Sequence, residues 1–182
     1  TCGTITTTGG TFTQRASGDK NFGTSVAVGT VWTFVNLTFS NSTLATAITI
    51  TTSTVGSGGI TVSGVLTVGS AGDTAATTFD AGNRTYTLSS TGGNPIVANA
   101  DGNGSSITGN TSTFSFTGAN AGGDTTIEQN TAGSYSNITL NATDTFVLEG
   151  ATVATGTITI TTGTLDTTAA SSFALTAGAI SI

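Results

Sequence analysis

The chain has 182 residues, a net charge of −6 and a pI near 4.1. That is length enough for one hydrophobic core, but only 7% of the side chains are charged. Its three cations, Arg15, Lys20 and Arg84, are too few for a phosphate-binding patch, which excludes nucleic acid and anionic membrane surfaces as partners. No apolar run approaches about 18 residues, so no membrane insertion is expected.

Polarity comes instead from hydroxyls and amides, since about a quarter of the residues are Thr. A mean hydropathy of +0.22 separates the chain from disordered sequences, which combine low hydrophobicity with high charge.

The chain opens on Thr1-Cys2-Gly3, which reads as a mature, processed, secreted protein. Cys2 has no second cysteine to pair with and is expected to be a small buried residue near one end. Period-two alternation of β-branched and apolar residues then predicts strands at 4–6, 25–28, 32–39, 47–51, 60–62 and 65–68. It continues at 85–88, 113–116, 137–140, 146–148, 157–161, 173–176 and 179–182. Gly- and Asn-rich segments such as 58–59, 69–73, 81–83, 92–94, 102–104 and 122–124 supply the turns between them. No helix signal interrupts the series.

The order of motifs also recurs at an offset of about 100 residues. Val35-Asn36-Leu37-Thr38-Phe39 returns as Ser136-Asn137-Ile138-Thr139-Leu140, and Thr11-Phe12-Thr13 as Thr113-Phe114-Ser115. We read one all-β domain over 1–182, with a first copy at about 1–100 and a truncated second copy at about 101–182. The expected fold is a β-solenoid. The alternative is an antiparallel β-sandwich in which residues 1–13 act as a donor strand for the next subunit.

The segments 36–40 (Asn-Leu-Thr-Phe-Ser), 59–69 (Gly-Ile-Thr-Val-Ser-Gly-Val-Leu-Thr-Val-Gly), 80–88 and 163–168 resemble repeats of bacterial secreted Thr/Gly-rich β-solenoid surface proteins, of the filamentous-haemagglutinin and autotransporter-passenger kind. The resemblance implies an extracellular, cell-surface, structural or adhesive role and brings no catalytic residues with it.

No His is present, and the nine acids (Asp19, Asp73, Asp80, Asp101, Asp124, Glu128, Asp144, Glu149 and Asp166) are scattered singly, so no nucleophile–base pair or acid cluster emerges. We expect no enzyme and no cofactor. Asp101 and Asn103 have the opening spacing of a calcium loop. Ser112 stands where an EF-hand places Glu, so a Gly-Asn turn competes with the metal reading. Seven Asn-x-Ser/Thr sequons, at Asn36, Asn41, Asn83, Asn103, Asn110, Asn137 and Asn141, are candidates for N-glycosylation or for amide ladders. Trp32, Phe34, Phe39 and Tyr135 are expected in the core rather than on a sugar-binding platform.

Thr-x-Thr pairs at 49/51, 85/87 and 157/159/161 raise an ice-binding face, although their spacing drifts along the chain. The favoured function is a homopolymer: a subunit stacking head to tail into a surface filament, fibre or sheath. Its interface is expected at Thr4, Ile5, Thr6 and Thr8 at one end and at Phe173, Leu175, Ile180 and Ile182 at the other. The alternatives are a pilin-like donor-strand subunit and an adhesive or ice-binding module, with glycans as possible partners.

Overall fold

The computed structural model describes residues 5–23, 30–42, 45–52, 58–128, 133–168 and 173–182. Cys2, Thr4 and the strand expected at 25–28 lie outside the described residues. Among the described residues there is no helix, and every strand pair is parallel. The chain winds as a β-solenoid. No antiparallel pair of the sandwich type joins the described strands.

The first four coils each place one strand on each of three sides. They are β1 (Thr11–Ala16), β2 (Lys20–Phe22) and β3 (Val31–Phe34), then β4 (Asn36–Asn41), β5 (Ile48–Thr52) and β6 (Gly59–Val62). Next come β7 (Leu66–Val68), β8 (Thr77–Asp80) and β9 (Thr85–Leu88), followed by β10 (Ile96–Ala98), β11 (Ser106–Thr108) and β12 (Thr113–Phe116). The sides form the sheets β1-β4-β7-β10, β2-β5-β8-β11 and β3-β6-β9-β12.

From the fifth coil onward the corners tighten and the strands run through them. β13 (Thr125–Ile127) pairs with the second half of β14 (Asn137–Leu148), whose first half extends the third sheet. β15 (Thr152–Asp166) and β16 (Leu175–Ser181) complete that sheet. On the third side, partners lie 28 residues apart at Trp32 and Ile60 but 20 apart at Ile138 and Ile158. The structural period is therefore this single coil.

Each strand alternates inward and outward. Trp32 and Phe34, Ile60 and Val62, Tyr86 and Leu88, and Phe114 and Phe116 all point to the axis and are buried. Stacked in register, they bring aromatic rings together along the interior. Phe39 stacks on Phe79 at 4.2 Å, Phe79 meets Tyr86 edge-on at 5.6 Å, Tyr86 stacks on Phe114 at 4.9 Å, and Phe114 meets Tyr135 at 5.2 Å. The expected core positions of Trp32, Phe34, Phe39 and Tyr135 are thus observed.

The two Asn motifs matched at the long offset share one corner chemistry. The Asn36 side chain donates to the Gly10 carbonyl on the coil before, and its Oδ1 accepts from the Val65 N–H on the coil after, at 2.8 Å. Asn137 likewise donates to the Ser112 carbonyl at 3.2 Å and accepts from the Thr157 N–H at 3.0 Å. Gly64 and Gly156 lie beside these amides because a Cβ there would fall 2.2 and 2.4 Å from the respective Oδ1. One motif opens β4 on the first side and the other opens β14 on the third. What repeats is a way of turning a corner while holding two neighbouring coils.

Candidate functional surfaces

The third side carries an uninterrupted column of hydroxyls. Register places Thr6, Thr33, Thr61, Thr87, Ser115, Thr139, Thr159 and Ser181 one above the next, one per coil. All are half-buried or exposed, and those from Thr33 to Thr139 alternate with buried apolar residues. Adjacent rungs are about 4.8 Å apart, and residues two apart along a strand about 6.6 Å. Beside this column, Thr85, Thr113 and Asn137 form a shorter second one. No other side has such continuity, since the first side runs Thr13, Thr38, Thr67 and then Val97. Of the Thr-x-Thr pairs seen in sequence, 85/87 and 157/159 fall on this face, whereas 49/51 lies on the second side. Periodicity alone missed the column because its sequence intervals vary from 20 to 28 residues. Only strand pairing shows that each interval closes one coil.

Among the described residues, the expected interface positions Ile5, Thr6 and Thr8 lie at one end of the stack and Phe173, Leu175, Ile180 and Ile182 at the other. At the first end, Ile5 is half-buried and its carbonyl accepts from the Thr33 N–H at 2.8 Å. Thr6 bridges Thr33, and Thr8 is exposed. A donor strand made of residues 1–13 would have to break these bonds to Thr33. At the other end, Phe173 and Leu175 are half-buried against the core, while Ile180 is 56% and Ile182 98% exposed. β16 pairs with β15 on one edge and presents its other edge unpaired among the described strands.

Four of the aspartates grip a neighbouring coil at a corner. The Asp19 carboxylate accepts from the Thr49 N–H at 2.8 Å. Buried Asp73 accepts from the Ser40 hydroxyl at 2.9 Å and from the Asn41 and Ser70 N–H groups. Asp80 accepts from the Asn110 side-chain amide. Asp144 accepts from the Asn120 N–H at 2.9 Å and the Thr125 hydroxyl at 2.5 Å. Arg84 is 1% exposed and spans two further coils, donating to the carbonyls of Gly58 at 3.1 Å and Gly23 at 2.6 Å.

The calcium candidates turn inward on their own loop. Asp101 accepts from the Asn103 N–H at 3.0 Å and the Ser105 hydroxyl at 2.6 Å, and the Asn103 amide donates to the Asp73 carbonyl at 2.8 Å. Among the described residues no group of three or more His, Cys, Asp or Glu converges as a metal centre.

The sequons divide by geometry. Asn41 is buried, and its amide donates to the carbonyls of Thr46 and Ala75. The amides of Asn36, Asn103, Asn110 and Asn137 are each engaged by a neighbouring coil. Asn83, in the turn after β8, and Asn141 are exposed, the latter accepting a long bond from the Thr162 hydroxyl through Oδ1 and not through its amide nitrogen.

No protein-family model matches the chain, and no match was found among curated proteins or solved structures.

Proposed function

We propose that this chain is an extracellular structural element, a rod whose sheets are lengthened when the free edge of β16 pairs with the first coil of another copy. The observation that carries the reading is the in-register continuation of the third sheet from Thr6 to Ser181, ending on a strand whose outer edge has no partner among the described residues and which carries exposed Ile180, with exposed Ile182 next to it. An unpaired edge presents rows of N–H and C=O groups that template a further strand. A contact between unlike ends does not close on itself, so it propagates as a fibre. The acidic, hydroxyl-rich composition and the resemblance to secreted surface solenoids support placement outside the cell. Of the seven sequons, Asn83 and Asn141 are the ones whose amide nitrogens a glycan could occupy without taking a bond from a neighbouring coil.

The test is size-exclusion chromatography with negative-stain electron microscopy across a wide concentration range. Filaments are expected for the native chain, and Ile180→Lys should shorten or abolish them. A monodisperse monomer at every concentration would sink the proposal.

The hydroxyl column favours a second reading, an ice-binding face. Its rung spacing of about 4.8 Å lies near the repeat of water oxygens on a prism face of hexagonal ice. This reading expects thermal hysteresis from the monomer and its loss in Thr87→Tyr, which plants a ring in the middle of the column. Absence of hysteresis in the native chain removes it.

A further inference from the structure

Glu128 and Glu149 stand on neighbouring coils in one register. Ile127 pairs with Leu148, and the Glu149 N–H donates to the Ile127 carbonyl at 3.2 Å. The two glutamates therefore occupy the next position of the same column, with backbones about 4.8 Å apart. Each follows a buried residue of its strand and turns outward, Glu149 exposed and Glu128 half-buried. Like charges directly opposite on adjacent strands repel, and partial burial strengthens the repulsion.

The surroundings offer no compensating cation. From the segment before β14, buried Tyr135 donates its hydroxyl to the Glu128 carbonyl at 3.1 Å, and burial, followed by the Glu128 charge, pushes its own ionisation far above the usual phenol range. From β15, Asp166 is held by the N–H and hydroxyl of Thr168 at 2.7 and 2.8 Å. Arg84 is committed to Gly23 and Gly58, and Arg15 and Lys20 belong to β1 and β2 in the first coil. Residues 129–132 are Gln, Asn, Thr and Ala, and residues 169–172 are Ala, Ala, Ser and Ser, so the adjoining stretches of chain add no charge.

We propose that Glu128 and Glu149 form a pH-operated clasp between the fifth and sixth coils, closed while Glu128 holds its proton in mildly acidic solution and opened when Glu128 ionises beside Glu149. On opening, the proton leaves to solvent and two carboxylates remain face to face at the corner. Burial, followed by the Glu149 charge, pushes the Glu128 carboxyl up to about 7 from its ordinary 4.5. The folded chain thus binds this proton more tightly than the unfolded chain does. The clasp contributes its full stability below about pH 4.5 and loses it as pH rises through about 7.

Two measurements on the full chain test this. The first is a carboxyl-carbon NMR titration, in which Glu128 should titrate near neutrality and Glu149→Gln should move its midpoint downward. The second is hydrogen exchange of the β13 amides, corrected for intrinsic rates. Exchange should rise several-fold from about pH 6 to pH 8 in the native chain and stay flat in Glu128→Gln, with β9 and β12 unchanged in both. A Glu128 midpoint in the ordinary carboxylate range, or the same pH dependence in the native chain and Glu128→Gln, overturns the proposal. If Glu128→Gln fails to fold, Glu149→Gln, at an exposed position, carries the same exchange comparison.

Discussion

A single side chain in this protein does its work by reaching another coil. Arg84 is the extreme case, a buried guanidinium whose two terminal nitrogens donate to main-chain oxygens of two earlier coils. Arg84→Ala strips the buried Gly58 carbonyl and the half-buried Gly23 carbonyl of their donor and leaves a void. It should cost roughly 2–4 kcal/mol in chemical denaturation, with the loss centred on the first three coils. Asp144 is the pH-sensitive case. Desolvation raises its pKa, but the bonds from the Thr125 hydroxyl and from the Asn120 and Thr145 N–H groups outweigh this and hold it below the ordinary 3.8. A depressed carboxylate contributes stability that is present above its unfolded value and lost as pH falls through the folded one. Acid melting curves should therefore fall off below about pH 4 in the native chain and be flatter in Asp144→Asn. In the sequence Asp19, Asp73, Asp80 and Asp144 stand apart from one another. It could not show what they hold, because their partners on other coils lie 19 to 33 residues away, about the length of a coil.

At the scale of the element, strands are short because corners come often. The longer alternating runs were legible: 60–62, 85–88, 113–116 and 137–140 all appear inside observed strands. The run expected at 32–39 divides at Val35 into β3 and β4, since the chain turns from the third side to the first there. β1, β2, β8, β10, β11 and β13 went unread because none of them holds two apolar residues flanking a polar one, the alternation that marks β6, β7, β9 and β12. Their pairing partners, not their own propensity, hold them in place. Where strands leave their sheet, packing becomes unforgiving. A Cβ on Gly118 would fall 1.8 Å from the Ser90 carbonyl oxygen of the coil before. Gly118→Ala should therefore destabilise by about 2–4 kcal/mol, read as a lowered melting temperature, although alanine is otherwise an innocuous residue.

Over the whole molecule, stability is close to a sum of coils and of contacts between nearest neighbours. Middle coils are held from both sides and end coils from one. Hydrogen exchange should accordingly be slowest in β6, β9 and β12 and fastest in β1 and β16, grading outward over orders of magnitude. Uniform protection along the axis would mean that the stack opens as one cooperative unit. Under the assembly proposal, polymerisation should slow exchange most in β16, the strand that gains a partner.

The sequence by itself determined the all-β class and the core positions of Trp32, Phe34, Phe39 and Tyr135, because these rest on alternation within a few neighbouring residues; it favoured the solenoid but left the sandwich open, since parallel pairing joins residues of different coils. Tertiary structure alone decided the coil as the repeating unit, the aspartate and Arg84 links across coils, the Glu128–Glu149 pair and the hydroxyl column. Each of those depends on which residue sits above which. Coil lengths vary by several residues from turn to turn, so that vertical register is fixed by backbone pairing and cannot be counted along the chain.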